Sequence, residues 1–372
     1  MEYFVWLQLC LGAGNKRIIK ILEKYTPQEI YNLSALEIEN NKFFTVKEKQ
    51  NFLKTDIKTA RDIVIKCRNN GIEIITIEDK DYPKPLLQIS NPPLVLYVKG
   101  ELPDFENTPT ICIVGSRNVS EFGKKSAYSL SYRLAKSGMI VVSGGAVGTD
   151  TYAHIGALKA GGKTVLCMGC GLLATYLEEN RALREHISSN GCLISEYPPD
   201  HPASKYTFPI RNRIMSGLSL GTVIIEAKQK SGSLITANYA LDQNRDVFVI
   251  PGRPDMKEYK GSNQLLRDGA KPLLDTSDIF NEYLPLFPDK IDVKKAYEKV
   301  EIKEKNKNNK KILNETLSNG AKIVYNCLDK QKFYPDELNT GLGSTELLSA
   351  LTELEMEFII RALPGGQYEI CK

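Results

Sequence analysis

Ile111-Cys-Ile-Val-Gly-Ser-Arg117 joins an apolar run to a glycine turn, and a helical pattern, Glu121–Ser137, follows it. The same succession recurs twice. Ile140–Ser143 runs into Ser143-Gly-Gly-Ala-Val-Gly-Thr-Asp150 and a helical pattern over Asp150–Ala160. Val223–Glu226 leads to Lys230-Ser-Gly-Ser-Leu-Ile-Thr236 and a helical pattern over Leu234–Asn244. Apolar runs at Thr164–Met168, Leu193–Glu196 and Val247–Ile250, with a short one at Lys271–Leu274, extend the alternation from Thr108 to Tyr283. These runs lack strict polar alternation, as expected of strands covered by helices on both faces. The pattern predicts an α/β fold: a Rossmann-like, doubly wound parallel sheet that binds ligands at the carboxyl ends of its strands.

Three glycine turns at one edge of such a sheet form a basin lined with backbone N–H groups, which suits phosphate. Gly115 lets the backbone approach a phosphate, Ser116 donates, and Arg117 grips it bidentately; the alternative is an internal ion pair for Arg117. Ser143, Gly144 and Gly145 supply the second turn, Ser231 and Gly232 the third. Thr149 or Asp150 is a plausible N-cap, which makes Asp150 structural rather than catalytic. The segment Phe208-Pro-Ile-Arg-Asn-Arg-Ile-Met-Ser-Gly-Leu-Ser219 opens another helix, Lys205 stands just before it, and Phe208, Arg211 and Arg213 lie within it. Phe208 either faces the basin or fills the core. Of the two arginines, at least one should face a ligand or an acid such as Glu226. A ring beside cations and phosphate-binding amides fits single-stranded nucleic acid better than a small metabolite.

Other chemistries lack their signatures. There is no G-x-G-x-x-G and no lone acid ending the second strand, which argues against NAD. No Gly-x-x-x-x-Gly-Lys-Ser/Thr loop supports ATP hydrolysis, and no nucleophile–base pair stands out. We expect no enzyme, no cofactor and no metal. Of eight cysteines only Cys167-Met-Gly-Cys170 is closely paired, without a second pair, and His154, His186 and His201 have no ligand spacing. Free thiols in a reducing cytoplasm are expected.

The chain has 372 residues, 42% hydrophobic, enough for two or three domains, and a net charge of +4, too mild to imply a polyanionic partner by itself. No apolar run approaches the ~20 residues that span a bilayer, and no secretion signal is evident at the start. Residues 1–70 read as a helical domain of SAM or helix-hairpin-helix type. Within it Gly12-Ala-Gly14 before an amphipathic helix, Arg17 to Tyr25, is either a tight turn between packed helices or a phosphate-facing hairpin. Residues 71–107 form a connector with strands at Ile72–Ile77 and Leu94–Val98 that pack on the central domain, 108–287. Residues 288–318 are a charged linker. Residues 319–372 read as a winged-helix module, with helices at Ala321–Leu328, Asp336–Leu342 and Thr345–Glu355 and a hairpin around Pro364-Gly-Gly366. From Pro335 onward it holds seven acids against Arg361 and Lys372, so a protein-contact or structural role is favoured over DNA reading.

Tyr82-Pro, Asn91-Pro-Pro-Leu-Val-Leu-Tyr97, Ile113-Val-Gly-Ser-Arg117, Ser143–Asp150, Phe208-Pro-Ile-Arg-Asn-Arg213, Glu226-Ala, Ser231-Gly-Ser-Leu-Ile-Thr-Ala237 and Val249-Ile-Pro-Gly252 together resemble the DNA processing protein A (DprA/Smf) family, in that family's order. The resemblance implies a cytoplasmic, non-enzymatic protein of natural transformation. It would bind incoming single-stranded DNA, form a homodimer and load the RecA recombinase. It carries DNA contacts onto Gly115, Ser116, Arg117, Lys205, Phe208 and Arg211. It places dimer contacts in Ser262–Gly269, where Leu265 and Leu266 are the apolar candidates. Thr149 departs from the Ile or Val common in the family. A competing resemblance is to nucleotide-cleaving enzymes of the lysine-decarboxylase-like, cytokinin-activating group, but their Pro-Gly-Gly-x-Gly-Thr-x-x-Glu signature is absent after Glu226.

Overall fold

The computed structural model describes residues 1–298, 317–357, 359–363 and 366–370. Part of the expected linker, 299–316, and Pro364-Gly365 of the expected hairpin lie outside the described residues. Nine strands form one sheet in the order β1-β2-β6-β5-β4-β3-β7-β8-β9. The central strands are β3 (Thr110–Val114), β4 (Ile140–Ser143), β5 (Thr164–Cys167), β6 (Cys192–Ser195), β7 (Gly221–Ile224), β8 (Asp246–Val249) and β9 (Lys271–Pro272), all parallel. From β3 the chain builds outward through β4, β5 and β6, then returns to place β7 on the other flank of β3. That reversal creates a switch point at the carboxyl ends of β3 and β7, where such sheets bind ligands.

The side chains of β3 show why both faces must be covered. Ile111 and Ile113 point into one apolar cluster with Ala127, Leu130 and Leu134 of α8 (Glu121–Lys136) and Ala153 and Ala157 of α9 (Thr149–Lys159). Cys112 and Val114 point into another, with Ile214 and Met215 of α11 (Thr207–Gly217) and Ala237 and Ala240 of α12 (Gly232–Asp242). Helix α10 (Arg181–Asn190) covers β5 and β6 through Leu183 and Ile187. The two strands expected in a connector are integral to the sheet: β1 (Glu73–Thr76) pairs with β2 (Val95–Gly100), which joins β6 antiparallel.

Residues 1–70 fold into six helices, α1 (Glu2–Leu11), α2 (Ile18–Leu22), α3 (Pro27–Asn32), α4 (Ala35–Asn40), α5 (Val46–Lys54) and α6 (Ile57–Asn69). Capping boxes Thr26/Glu29, Ser34/Glu37 and Thr45/Glu48 start three of them, each satisfying orphan N–H groups at both cap and third residue. Their core, around Trp6, Ile21, Ile30 and Phe52, continues onto Ile74, Val95 and Tyr97 of β1 and β2. The expected helix from Arg17 to Tyr25 is the shorter α2.

At the other end, helices Asn319–Asn326 and Ser344–Met356 pack with a three-stranded sheet of β10 (Lys332–Phe333), β12 (Tyr368–Ile370) and β11 (Ile360–Ala362). In place of a second helix at Asp336–Leu342 there is one 3-10 turn, Pro335–Glu337. Gly341 sits at φ 68°, outside the right-handed helical region, and interrupts any helix there. Two of the acids counted there as repelling phosphate are spent internally: Glu353 accepts from Ser318 N and Oγ at 2.7 and 2.6 Å, and Glu355 accepts from Ala362 N at 3.2 Å. Helix Ser344–Met356 is turned toward the 3-10 turn Glu178–Asn180 and α10, and Glu355 lies 3.5 Å from the Tyr152 hydroxyl of α9.

Candidate nucleic-acid interface

A cavity of about 570 Å³ opens at the switch point, lined by Gly115, Ser116 and Arg117 after β3, Ala146 and Val147 after β4, and Lys228, Lys230 to Ser233, Ile235 and Thr236 after β7, with the first turns of α11 as its wall. Five cations line it, Arg117, Lys205, Arg211, Lys228 and Lys230, against one carboxylate, Asp150.

The turns interlock. Gly148 caps α9 with φ 88°, a conformation that suits glycine, and a Cβ there would sit 2.3 Å from the Arg117 carbonyl oxygen. The cap is therefore backbone alone, not Thr149 or Asp150 as expected. Thr149 instead donates from Oγ1 to the Ser116 carbonyl at 3.1 Å, clasping the first turn to the second. Ser231 caps α12, accepting from Ser233 N at 3.4 Å. Asp150 accepts from Ala146 N at 3.3 Å, and burial pushes its carboxyl above the usual range, opposed by the Arg211 guanidinium beside it. Asp150 therefore holds the second turn from within α9 rather than capping the helix.

Phe208 lies in the first turn of α11, half-buried and facing the cavity. Its ring is seated on Gly169, where a Cβ would come within 2.6 Å of it, and against Tyr176 at 5.2 Å between centroids. The Arg117 guanidinium lies 5.6 Å from its centroid, and among the described residues Arg117 has no ion pair. Lys205 is exposed, with its ammonium 5.1 Å from the ring of Tyr206, which is 70% exposed.

The two arginines of α11 separate. Arg211 lines the cavity from its floor: its guanidinium donates to the Cys167 carbonyl and to Asn212 Oδ1 at 3.2 Å, and Gly144 leaves the room for it. Arg213 is no part of the cavity. It is fully buried and pairs with Glu196 at 2.7 Å, because the helix turn that aims Arg211 at the sheet edge aims Arg213 at the helical domain. Neither faces Glu226, which accepts instead from Ser120 N at 3.0 Å and the Tyr259 hydroxyl at 2.9 Å. Glu196 also accepts from Gly14 N at 3.0 Å, so the Gly12–Gly14 hairpin is a packed turn and not a phosphate-facing one.

Of the second turn, Ser143 is buried with its Oγ donating to the Ile113 carbonyl at 2.6 Å, and Gly144 and Gly145 stand behind the wall rather than on it. His154 braces this turn from below, its ring between the Gly144 carbonyl at 2.9 Å and Thr164 Oγ1 at 2.8 Å. Leu265 belongs to the sheet core, and only Leu266 is partly exposed. Cys167 and Cys170 are free and buried, and the described residues contain no cluster of three metal-ligating side chains. Among them no helix is long and apolar enough to cross a membrane. The sequence reading missed Lys228, Lys230, Tyr176 and Tyr206. The two lysines belong to the third turn and Tyr206 adjoins Lys205 in the chain, all in plain sight, whereas Tyr176 reaches Phe208 only through tertiary folding.

Residues 73–284 match the family model for DNA recombination-mediator protein A. The chain belongs to that family. It is 40% identical over 215 residues to DNA processing protein DprA of Bacillus subtilis, across 58% of this chain and 72% of that protein. The same protein from Streptococcus pneumoniae is 34% identical over 274 residues, 73% of this chain and 94% of the relative. Its X-ray structure superposes with a TM-score of 0.66 at 33% identity, covering 76% of this chain and 98% of that one. A structure of DNA processing protein A from Helicobacter pylori, described for its single-stranded DNA binding mode, superposes with a TM-score of 0.52 at 31% identity, covering 57% and 96% of the two chains.

Proposed function

We propose that this protein binds single-stranded DNA in the switch-point cavity and, as a homodimer in the cytoplasm, presents that strand to the RecA recombinase during DNA uptake. The observation that carries the DNA reading is the Phe208 ring, held on Gly169 and Tyr176 at the mouth of a cavity with five cations. A base stacks on the ring, while phosphates meet Arg117, Lys205, Lys228, Lys230 and the turn amides. Neither interaction reads sequence, so binding is sequence-tolerant and steeply salt-dependent. Paired bases cannot reach the ring, so duplex binds weakly. Arg211 tunes the floor rather than gripping the strand alone. Membership of a recombination-mediator family supports the RecA step, and the partly exposed Leu266 is the proposed dimer contact. The acidic C-terminal module, which we read as a winged helix, serves as a protein contact.

The nucleotide-cleaving alternative has little to work with: the cavity's one carboxylate, Asp150, is occupied by Ala146 N and sits beside Arg211. Gel shifts with oligo-dT, run beside a nucleoside-monophosphate hydrolysis assay, test the choice. Arg117→Ala should weaken binding by roughly 1.5–3 kcal/mol and Phe208→Ala by about 1–3 kcal/mol, with no hydrolysis by any form. Unchanged oligo-dT affinity in both folded variants would sink the site.

A further inference from the structure

The helical domain carries a run of cations beside the cavity. Residues 15–24, Asn-Lys-Arg-Ile-Ile-Lys-Ile-Leu-Glu-Lys, hold Lys16, Arg17, Lys20 and Lys24 against the single acid Glu23. Ile18 and Ile21 are buried, and Lys16 just before α2, Lys20 on it and Lys24 just after it are all exposed. Arg17 is tied down: it pairs with the buried Glu48 at 2.8 Å and donates to the Phe43 carbonyl at 2.7 Å. That brings the Phe43 ring beneath two cations, the Lys24 ammonium at 4.7 Å and the Arg17 guanidinium at 5.2 Å. A ring face holds positive charge at the surface without neutralising it. Among the described residues Lys16, Lys20 and Lys24 form no ion pair. Neighbouring like charges repel, and an anionic backbone lying across them removes that repulsion.

The run starts where the cavity wall ends. The hairpin before it is packed on α11, so that a Cβ at Gly14 would lie 2.8 Å from Ile210 Cγ2. Ile210 follows Pro209, which lines the cavity with Phe208. From Gly14 to Lys16 the chain spans at most about 7 Å. A strand leaving the cavity over Pro209 and Ile210 therefore runs onto Lys16, then Lys20 and Lys24. The hairpin amides take no part, since Gly14 N is committed to Glu196.

We propose that Lys16, Lys20 and Lys24 form a second single-stranded nucleic-acid site, a sequence-independent phosphate track that continues the strand out of the cavity. The proposal rests on the cavity being the primary DNA site. Its test compares oligo-dT of about 6 nucleotides, near the short end of single-strand site sizes, with oligo-dT of about 25 nucleotides. The triple variant Lys16→Ala/Lys20→Ala/Lys24→Ala should bind the short oligonucleotide as the wild type does and the long one more weakly. Its log–log salt slope on the long oligonucleotide should fall by about 2, at roughly 0.7 for each phosphate that a lysine no longer neutralises. Lys→Arg at the same three positions should restore the slope. These side chains are exposed, so the thermal midpoint serves as the folding control. An unchanged slope with unchanged long-oligonucleotide affinity overturns the track. So does an equal loss at both lengths, which would mean that the lysines act on the cavity itself. Arg117→Ala, measured in parallel, should weaken both lengths; if it weakens neither, the cavity reading fails and the track, which depends on it, fails as an extension of that site.

Discussion

Replacing Arg213 with methionine separates the two arginines of α11 by experiment. The Arg213–Glu196 pair is 0% and 1% exposed at its two side chains. Removing one partner of a buried ion pair costs about 3–5 kcal/mol, because the remaining charge is stranded. Here the lower end applies. Arg213 Nε and Nη1 have no hydrogen-bond partner, so losing the arginine also relieves a desolvation cost of its own, and Glu196 keeps Gly14 N. We therefore expect Arg213→Met to cost about 3 kcal/mol and lower the thermal midpoint by roughly 6–12 °C, at about 2–4 °C per kcal/mol for a domain of this size. Adding Glu196→Gln should recover most of the loss, since a matched neutral pair strands no charge. Oligo-dT affinity of the folded variant should equal that of the wild type, whereas Arg211→Ala should reduce it. Arg213→Met with an unchanged midpoint and lost DNA binding would refute the assignment and return Arg213 to the DNA site.

Other outcomes follow from the same geometry. Leu266→Arg should give a folded monomer by light scattering, with near-normal binding of short oligonucleotides and poor recombinase loading; a wild type that is monomeric at micromolar concentration yet loads fully would end the dimer proposal. Deleting residues 317–372 should change oligo-dT affinity far less than Arg117→Ala does, and a comparable loss would show that the module contributes to the strand path. Burial holds the His154 imidazole at about 4, below the 6.5 of a free one. The unfolded chain thus takes up a proton that the folded chain refuses. The associated stability is present above pH 6.5 and is lost as pH falls toward 4, at about 1.4 kcal/mol per pH unit. His154→Gln should flatten that part of the urea-midpoint profile; superimposable acid limbs would contradict it.

The sheet was legible because its strands are short and largely apolar, and three of them run into a glycine turn that opens a helix. All seven parallel strands fall within two or three residues of their expected places, as strands with both faces covered must carry unbroken apolar runs. What did not read was anything decided across elements. That β1 and β2 extend the sheet depends on β2 meeting β6, a pairing no local pattern announces. Leu265 and Leu266 are indistinguishable as residue types, yet α13 (Lys260–Arg267) turns the first into the core and leaves the second at its margin.

The cavity shows the same division at higher resolution. Its composition was readable, since turns and cations are local. Its support was not. Phe208 is useful as a platform only because Gly169, far away in sequence, leaves space beneath it and Tyr176 braces its edge. Thr149, the one departure from the expected pattern, is spent on the clasp to Ser116 that fixes the first two turns relative to each other. A hydroxyl there has a partner that isoleucine would lack. Thr149→Val, which keeps the shape and removes that bond, should therefore weaken oligo-dT binding through loosened turns while leaving Arg117 and Phe208 untouched. Because the backbone bond from Thr149 N to the same carbonyl, at 3.2 Å, survives the change, the loss should be smaller than for Arg117→Ala. Equal losses in the two variants would mean that the clasp, rather than the guanidinium, carries the first turn's share of binding.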